Sequence, residues 1–443
     1  MHIKMNHIIL LIVLLSFIVS GFIIFAIPII SDSPFSFFGT RHILELIQVI
    51  ILIIFLSLLL LLVSKNNSSR LTKLLLFAFI IRVSMVFMMS FFDIFAFRWD
   101  SNWDNIAIPL SEIWSNQGFS LEFSSSHNVR YYTIITTFVF FVFSPNPIFM
   151  QIINAFFGTL TIFILYKLGK VLFDKNVAYL SSVLLTFWPT HILFSAMQMR
   201  EALSTFTIIT FVYFFVLWLK KSKPSFLLFA ILFMILNFLF RWRNGGLNLL
   251  LISPFIILHI KSLSSVKLKP ILIFTSFVII IVGVSWFYNA GYLSYLDVDY
   301  AMSLDRDPRG GSAYLAWMEY STPFHVILYL PLRLIYYLFS PFPWQITNVT
   351  QLLAFFEAIG LFIIATISIV KFKLIYYLTN DKKQFLFVIL VFITHIVANS
   401  IFDSNTGTAM RHRVQYISVF LLLFSAYQVF RKKNHNIQKY TLK

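Results

Sequence analysis

Carboxylates, an arginine and tryptophans interleave in one short stretch of this chain, FRWDSNWDN, at residues 97–105. The stretch ends a long apolar run, and ionisable residues at a membrane boundary are costly and are usually retained for function. If it is helical, Asp100 and Asp104 lie four positions apart on one face. Neighbouring carboxylates repel each other, so one of them holds its proton longer, as suits a catalytic base. With Arg98 adjacent, the pattern favours an acid–base site over a plain juxtamembrane loop with interfacial tryptophans.

A further outer carboxylate lies in MREAL, residues 199–203, where Arg200 and Glu201 adjoin each other after a proline-bearing apolar run. Adjacent residues do not share a helix face, so the two charges are expected to have different partners. The sequence leaves two interpretations open. Either Glu201 and Arg200 belong to a functional site, or they form a charge pair at a helix boundary.

Two arginine motifs have the composition of anion sites. In RWRNGG, residues 241–246, Arg241 and Arg243 stand beside two glycines, and together they offer side chains and backbone N–H groups to a phosphate. The alternative is a tight helical turn that needs glycine. In GTAMRHRVQY, Arg411 and Arg413 flank His412 in the predicted first turn of a helix, where the dipole disfavours cations, so their presence indicates a bound anion. His412 has the chemistry to shuttle a proton, but a lone histidine is more often a hydrogen-bonding bystander, and we assign it no role.

The composition says which elements must position these residues. The chain has 443 residues, of which 59% are hydrophobic and 12% charged, with a mean hydropathy of +0.86. A soluble domain cannot bury that much apolar surface, and long apolar runs indicate membrane helices. The absence of cysteine excludes disulfides, thiolate metal sites and cysteine nucleophiles. The net charge of +17 is explained by the positive-inside rule, so nucleic acid is not an expected partner.

We therefore predict an all-α polytopic membrane protein with about twelve transmembrane helices and two interfacial or re-entrant helices. The predicted spans are residues 8–30, 43–63, 74–95, 148–167, 177–197, 202–219, 225–240, 247–260, 271–289, 350–370, 384–402 and 414–430. The stretches 131–143 and 324–339 are short and bounded by prolines, and they are predicted not to cross. Residues 1–73 form an N-terminal two-helix hairpin with a cytoplasmic linker, 74–430 the main module with outer loops 98–147 and 290–349, and 431–443 a basic cytoplasmic tail.

Lysines and arginines separate across this topology. With both termini cytoplasmic, every lysine falls inside, as the positive-inside rule favours. The arginines that fall outside are Arg41, Arg98, Arg130, Arg200, Arg241, Arg243, Arg306, Arg309, Arg333, Arg411 and Arg413. The guanidinium fork binds phosphate and carboxylate bidentately, whereas lysine is a point charge. An outer face with arginine and no lysine indicates a place that holds an anion.

An acidic loop after an early span, a proline-bearing fifth span ending in R-E and a final span opening with R-x-R together resemble the GT-C membrane glycosyltransferases. The bacterial relatives of protein mannosyltransferases and aminoarabinose transferases are the most similar, and RWDSNWDNIA also resembles the first loop of GPI-anchor mannosyltransferases. The resemblance covers residues 74–430. It implies an inverting transfer of a sugar from a polyprenyl-phosphate-linked donor to a lipid, glycan or protein acceptor, in cell-envelope glycan or glycolipid synthesis. The enzyme would sit among the lipids of the plasma (inner) membrane with an extracytoplasmic active site.

The resemblance also assigns roles to the motifs. Asp100 becomes the base on the acceptor hydroxyl, Asp104 its partner and Glu201 the next outer carboxylate, while Arg411 and Arg413 hold the donor phosphate. The substrate-binding set is completed by Arg98, Arg200, Arg241 and Arg243. Many relatives carry adjacent acids, but here they are four apart, so the identity of the base stays open.

The spacing does not favour a metal site, because the sequence has no His-x-x-x-His pair and no carboxylate-rich loop like an EF-hand. A single divalent cation on Asp100 and Asp104 stays open as a cofactor, because hard cations take oxygen ligands. Two other functions also stay open. One is an O-antigen or capsule polysaccharide polymerase. The less favoured is a flippase or transporter of lipid-linked sugar, which needs cations in mid-span, where Arg82 alone clearly lies.

Overall fold

The computed structural model describes residues 42–92, 102–123, 129–260, 281, 285, 312–318, 322–347 and 349–441. Within these ranges the chain is helical, with one isolated antiparallel bridge between Ala313 and Asn405. The helices are α1 (His42–Ser64), α2 (Ser69–Phe92), α3 (Asn102–Gln117), α4 (Arg130–Val142), α5 (Pro147–Leu172), α6 (Lys175–Thr186), α7 (Pro189–Ala196), α8 (Glu201–Lys221), α9 (Pro224–Phe240), α10 (Trp242–Ile260), α11 (Pro323–Phe339), α12 (Val349–Val370), α13 (Phe372–Tyr377), α14 (Lys382–Phe402) and α15 (Thr406–Thr441).

Seven of the described helices are long and apolar enough to cross a membrane, namely α1, α2, α5, α8, α12, α14 and α15. The number rises to eight if α6 and α7, which are bent by 62° at the break before Pro189, form one broken span. Proline removes a backbone donor and clashes with the preceding turn, which accounts for the break. The protein is therefore a multi-pass membrane protein.

The predicted number of twelve spans is not confirmed. The first predicted span, 8–30, lies outside the described residues, as does 271–289 apart from residues 281 and 285. The predicted spans 225–240 and 247–260 appear as the shorter apolar helices α9 and α10, and the two predicted short helices appear as α4 and α11.

The chain divides into two compact units. Unit 1 comprises residues 1–163 and 185–206, and unit 2 comprises 164–184 and 207–443. In unit 1, α1 packs on α2, α2 on α7 and α3 on α4. Arg82 of α2 is fully buried there and bonds His191 of α7, with 2.6 Å between Nη2 and Nδ1. This pair ties the broken helix α7 to α2.

In unit 2, α14 and α15 form the centre, since α11 packs on both, α10 on α14 and α12 on α15. One end of these helices is closed by polar contacts. The Asn380 backbone N–H bonds the carbonyl of Leu172 at 2.8 Å, satisfying the C-terminus of α5. Asp174, just after α5, pairs with Lys433 of α15 at 2.8 Å. We call this the lysine end of unit 2.

The opposite end of unit 2 holds the end of α14 and the start of α15. The turn between them bonds to residues 312–314 through the Tyr314 N–H to the Ser404 carbonyl and the Thr406 N–H to the Ser312 carbonyl, at 2.9 and 3.0 Å. The Asn405 side chain accepts from the N–H of Gly407 at 2.8 Å, which caps α15. This end carries the predicted arginines Arg411 and Arg413 in the second and third turns of α15.

Candidate active site

A histidine–carboxylate pair lies at the turn between α14 and α15. Asp403 caps α14, and its carboxylate Oδ2 lies 2.7 Å from Nδ1 of His412. The carboxyl residue is 4% exposed and the histidine 19%. The Asp403 carbonyl accepts from the Tyr314 hydroxyl at 2.7 Å and from Arg333 Nη2 at 3.1 Å. Two donors therefore fix the Asp403 backbone, which leaves the carboxylate to orient the imidazole.

Arg413 follows His412 on α15 but points elsewhere, since successive helical positions are about 100° apart. Its Nη1 donates to the carbonyls of Leu338 and Ser340, at 2.9 and 2.6 Å, at the C-terminus of α11. The side chain is 1% exposed. Its Nε and Nη2 atoms form no hydrogen bond with any described residue. These two donors make one edge of the guanidinium fork, and that edge fits a phosphate or carboxylate bidentately.

Tyr337 of α11 lies near the His412–Asp403 pair and is fully buried. Its hydroxyl forms no hydrogen bond within the described part of the chain. The charges of Asp403 and Arg241 both act on it, and the charges of Arg241 and Arg411 act on the His412 ring. Three predicted phosphate ligands thus converge in unit 2. We name the Asp403 cluster as Arg241, Tyr314, Arg333, Tyr337, Asp403, Arg411, His412 and Arg413.

Arg241 reaches this cluster because of a very short turn. It caps α9 with a non-helical backbone, φ −144° and ψ 75°, and α10 begins at the next residue. The Gly245 N–H bonds the Arg241 carbonyl at 2.8 Å. A Cβ on Gly245 would clash with the backbone of Phe238 in α9. The predicted use of this glycine's N–H to hold phosphate is therefore wrong, because the N–H belongs to the helix and the glycine permits close packing.

A chain of buried amides supports the α9–α10 hairpin. His395 of α14 contacts Asn248 Oδ1 through Nε2 at 2.8 Å. Asn248 donates to Asn237 at 3.4 Å, and Asn237 donates to Thr207 at 3.1 Å. Unpaired buried amides are expensive, so the chain favours one register of α9 and α10 against α14. It thereby contributes to the placement of Arg241.

The second predicted motif, MREAL, lies in unit 1 at the start of α8. Asn154 of α5 is fully buried and donates Nδ2 to the carbonyls of Met197 and Met199 at 2.7 and 2.9 Å, and to the Tyr132 hydroxyl at 2.9 Å. This amide clamps the non-helical segment between α7 and α8. Glu201 is then the first residue of α8 and is completely buried. A carboxylate is favoured at a helix N-terminus.

The remaining predicted residues have two outcomes in the structure. Arg98 and Asp100 lie outside the described residues, as do the side chains of Asp104, which follows the start of α3, and Arg243 in α10. Arg200 directly precedes α8 and is half-buried, whereas Glu201 is the first residue of that helix. The acid pair Asp100–Asp104 and its divalent cation therefore stay predictions.

The sequence interpretation of the last motif needs one correction. Arg411 is the sixth residue of α15 and Arg413 the eighth, so neither lies in its first turn, and the dipole argument for an anion does not hold. The burial of Arg413 replaces it as the reason to expect an anion. His412 forms a hydrogen bond with Asp403, which agrees with the sequence interpretation of a hydrogen-bonding histidine and leaves its role in catalysis untested.

Four residues at this end were missed from the sequence, namely Tyr314, Tyr337, Asp403 and Glu357. Asp403 directly follows an apolar span, the same signal that singles out residues 97–105. Glu357 is the sole carboxylate within α12, is 6% exposed, and its charge acts on Arg413. An acid inside a predicted span is itself a functional signal. Tyr337 lies in an aromatic run, and nothing in the sequence distinguishes it.

Two likenesses to known proteins bear on this geometry. Residues 131–287 match the sequence model of the dolichyl-phosphate-mannose-protein mannosyltransferase family. The fold is similar to the crystal structure of the Archaeoglobus fulgidus oligosaccharyltransferase in its apo form, with a TM-score of 0.51 over 85% of this chain. Together the family match and the fold likeness support a membrane glycosyltransferase of the GT-C type.

The chain spans 52% of the length of the archaeal oligosaccharyltransferase and is 13% identical to it, so that likeness concerns the fold alone. No curated protein sequence matches the chain. The mannosyltransferase match includes Asn154, Glu201 and Arg241, but it ends before the other seven members of the Asp403 cluster. The assignment of the Asp403 cluster therefore depends on its own geometry.

Proposed function

We propose that this GT-C protein is an inverting glycosyltransferase that moves a sugar from a polyprenyl-phosphate-linked donor to a lipid, glycan or protein acceptor on the outer face of the membrane. Its product would belong to cell-envelope glycan or glycolipid synthesis. The observation that carries the proposal is Arg413, a buried guanidinium whose Nε–Nη2 edge has no hydrogen-bonding partner among the described residues.

A buried cation with an open bidentate edge suits an anion that arrives as substrate. Burial of donors without partners is costly, and a phosphate would relieve that cost with two charge-assisted hydrogen bonds. Arg241 and Arg411, which act on the same cluster, would add positive charge around it. Such cations stabilise the charge that develops on a departing phosphate. A lipid-linked donor has its leaving group built in, so no nucleotide is required.

The acceptor hydroxyl needs a base, because it must lose its proton as it attacks the anomeric carbon. On the grounds of sequence we assign this role to Asp100, with Asp104 as its partner and Glu201 as the carboxylate to consider next. Arg98, Arg200 and Arg243 are assigned to substrate binding on the same grounds.

The transport alternative has no support from the described residues. It requires mid-span cations that face a passage, and Arg82 is instead fully buried and bonded to the carbonyl of Ala78 and to His191. The Arg82 side chain is also closely packed against Gly158, because a Cβ added at this glycine would lie 3.2 Å from the Arg82 Nε.

The proposal is tested by transfer of radiolabelled sugar in proteoliposomes, with a panel of polyprenyl-phosphate sugars and the lipid and glycan fraction of the source membrane as acceptor. Arg413→Lys keeps the charge but loses the fork, and we expect turnover to fall by about 100-fold, the scale of one lost charge-stabilising donor. The matched control is Arg431→Lys, an exposed position on the same helix. Wild-type turnover in a folded Arg413→Lys protein would remove Arg413 from the donor site.

The base is tested separately in the same assay. Asp100→Asn keeps the size of the side chain but cannot accept the proton, so turnover should fall by about 100-fold or more while donor binding persists. Asp104→Asn should have the smaller effect. A reversed ranking would move the base to Asp104, and full activity in both variants would direct attention to Glu201.

A further inference from the structure

The His412–Asp403 pair has the geometry of an oriented imidazole. The carboxylate Oδ2 lies 2.7 Å from Nδ1, so in the neutral ring Nδ1 carries the proton and Nε2 holds the lone pair. None of the described residues forms a hydrogen bond with Nε2, and the side chain is 19% exposed. The nitrogen opposite the carboxylate is therefore open to a ligand. A base oriented by a third group is a recurring catalytic arrangement.

The orientation of the ring is set by a rigid support. Tyr314 and Arg333 hold the Asp403 carbonyl, and Arg333 Nε also donates to the Ser400 carbonyl at 2.9 Å. The Asp403 N–H donates to the Asn399 carbonyl at 2.9 Å, so the helical hydrogen bonding of α14 extends to this cap. The position of the carboxylate is therefore restricted, and this restricts the orientation of the imidazole that is bonded to it.

Burial and several charges act on His412. Burial disfavours the imidazolium, Asp403 from the end of α14 favours it, and Arg241 from the α9–α10 turn and Arg411 on α15 itself oppose it. Among the described residues, further ionisable groups at this end are Tyr314, Arg333, Tyr337 and Tyr416, with Glu357 of α12 acting on Arg413. A phosphate bound beside the imidazole would favour the imidazolium, because it brings negative charge to the ring.

We propose that His412, oriented by Asp403, is a catalytic residue that takes up a proton when the donor phosphate binds and gives it from Nε2 to the departing phosphate. This inference rests on the proposed function. The bond from the anomeric carbon to the phosphate oxygen breaks, and its electron pair stays on that oxygen. The Nε2 proton then makes the lipid phosphate a monoanion. The acceptor oxygen forms the new bond to the anomeric carbon, its proton goes to the carboxylate base, and proton exchange with water restores both groups.

Coupling between proton and phosphate is measurable without turnover. Farnesyl phosphate serves as the probe, because it carries the phosphate and a short prenyl chain. Isothermal titration of the full-length protein in detergent, in two buffers of different ionisation enthalpy, reports the protons taken up on binding. At a pH near neutrality we expect uptake approaching one proton per farnesyl phosphate in the wild type, and an affinity that weakens as pH rises. Linkage requires these two results to agree.

Two variants separate a catalytic role from a structural one. His412→Gln should bind the probe without proton uptake and should lower turnover by about 100-fold. Asp403→Asn keeps a hydrogen bond to Nδ1 but reverses its direction, because the amide donates. The neutral ring then carries its proton on Nε2 and can bind phosphate without taking up a proton. The control is His325→Gln on α11, outside the Asp403 cluster, which should retain the wild-type uptake.

The outcomes distinguish this inference from the proposed function. Proton uptake and turnover that persist in His412→Gln overturn the inference alone, provided that Arg413→Lys still weakens binding. If the wild type binds farnesyl phosphate with no proton uptake, the inference is overturned as well. If the wild type does not bind the probe at all, both the donor site and the role of His412 are wrong.

Discussion

Replacement of Asn154 gives a sharp test of how unit 1 holds the segment that leads to Glu201. The amide has two N–H donors and meets three buried acceptors, the carbonyls of Met197 and Met199 and the Tyr132 hydroxyl, at 2.7, 2.9 and 2.9 Å. The Met197 carbonyl keeps another donor, the Met199 N–H at 2.9 Å. The Met199 carbonyl therefore bears most of the loss.

The magnitude follows from these contacts. Each lost hydrogen bond costs about 0.5–1.5 kcal/mol, and a buried acceptor left unmet costs about 1–3 kcal/mol. We expect Asn154→Leu, which preserves volume, to destabilise the protein by roughly 2–3 kcal/mol. Asn154→Asp should destabilise the protein more than Asn154→Leu does, because it turns a carboxylate toward carbonyl oxygens. The control on the same helix is Gln151→Leu, where a buried amide makes one long contact of 3.4 Å with Ser90, and its cost should stay below about 1 kcal/mol.

Thermal unfolding of the purified protein in nanodiscs, followed by tryptophan fluorescence, measures the effect, and the sugar-transfer assay reports its consequence. If Glu201 takes part in catalysis, a leucine at position 154 should lower turnover at temperatures where the protein is still folded, since the segment before α8 is no longer fixed. Equal melting temperatures for wild type, Asn154→Leu and Asn154→Asp would refute the clamp. A Gln151→Leu protein as unstable as Asn154→Leu would show that any buried amide on α5 has the same effect.

Two further predictions concern unit 2. Gly245→Ala should destabilise the α9–α10 hairpin by about 1–3 kcal/mol, because its Cβ meets the Phe238 backbone, whereas Gly360→Ala, with no atom within 4 Å of its Cβ, should be neutral or slightly stabilising. Melting temperatures in nanodiscs check both, and equal shifts would contradict the packing argument. Partial burial raises the pKa of Asp174, but hydrogen bonds from Lys433 and from backbone N–H groups outweigh it, so the pKa lies below its ordinary value. A depressed carboxyl pKa stabilises the folded state above the unfolded value of about 4, so Asp174→Asn should cost a few tenths of a kcal/mol at pH 7, as for exposed pairs, and nothing once the pH falls below the folded pKa. A loss that persists at low pH would assign the effect to something other than the ion pair.

The sequence alone determined the class of the protein and much of its helical framework. Long apolar runs can satisfy their backbone in a membrane only as helices, so α2, α5, α8, α12, α14 and α15 follow from hydropathy. The same logic located Glu201 at a helix start and the arginines of the last motif near a helix end. It could not separate short crossing helices from non-crossing ones, because α9, α10 and α11 are all short apolar helices.

Only the tertiary structure decided which polar residues meet. Asp403 and His412 are nine positions apart, and their contact depends on the turn that joins α14 to α15. Tyr337 enters the cluster through the packing of α11 on both helices, a long-range contact that no spacing rule encodes. Gly245 is a second example. A glycine beside two arginines suggested a phosphate site from the sequence, but the structure shows the backbone of α9 packed directly against this glycine. Periodicity fixes which face a residue lies on, whereas the partner on that face depends on how helices distant in sequence pack together.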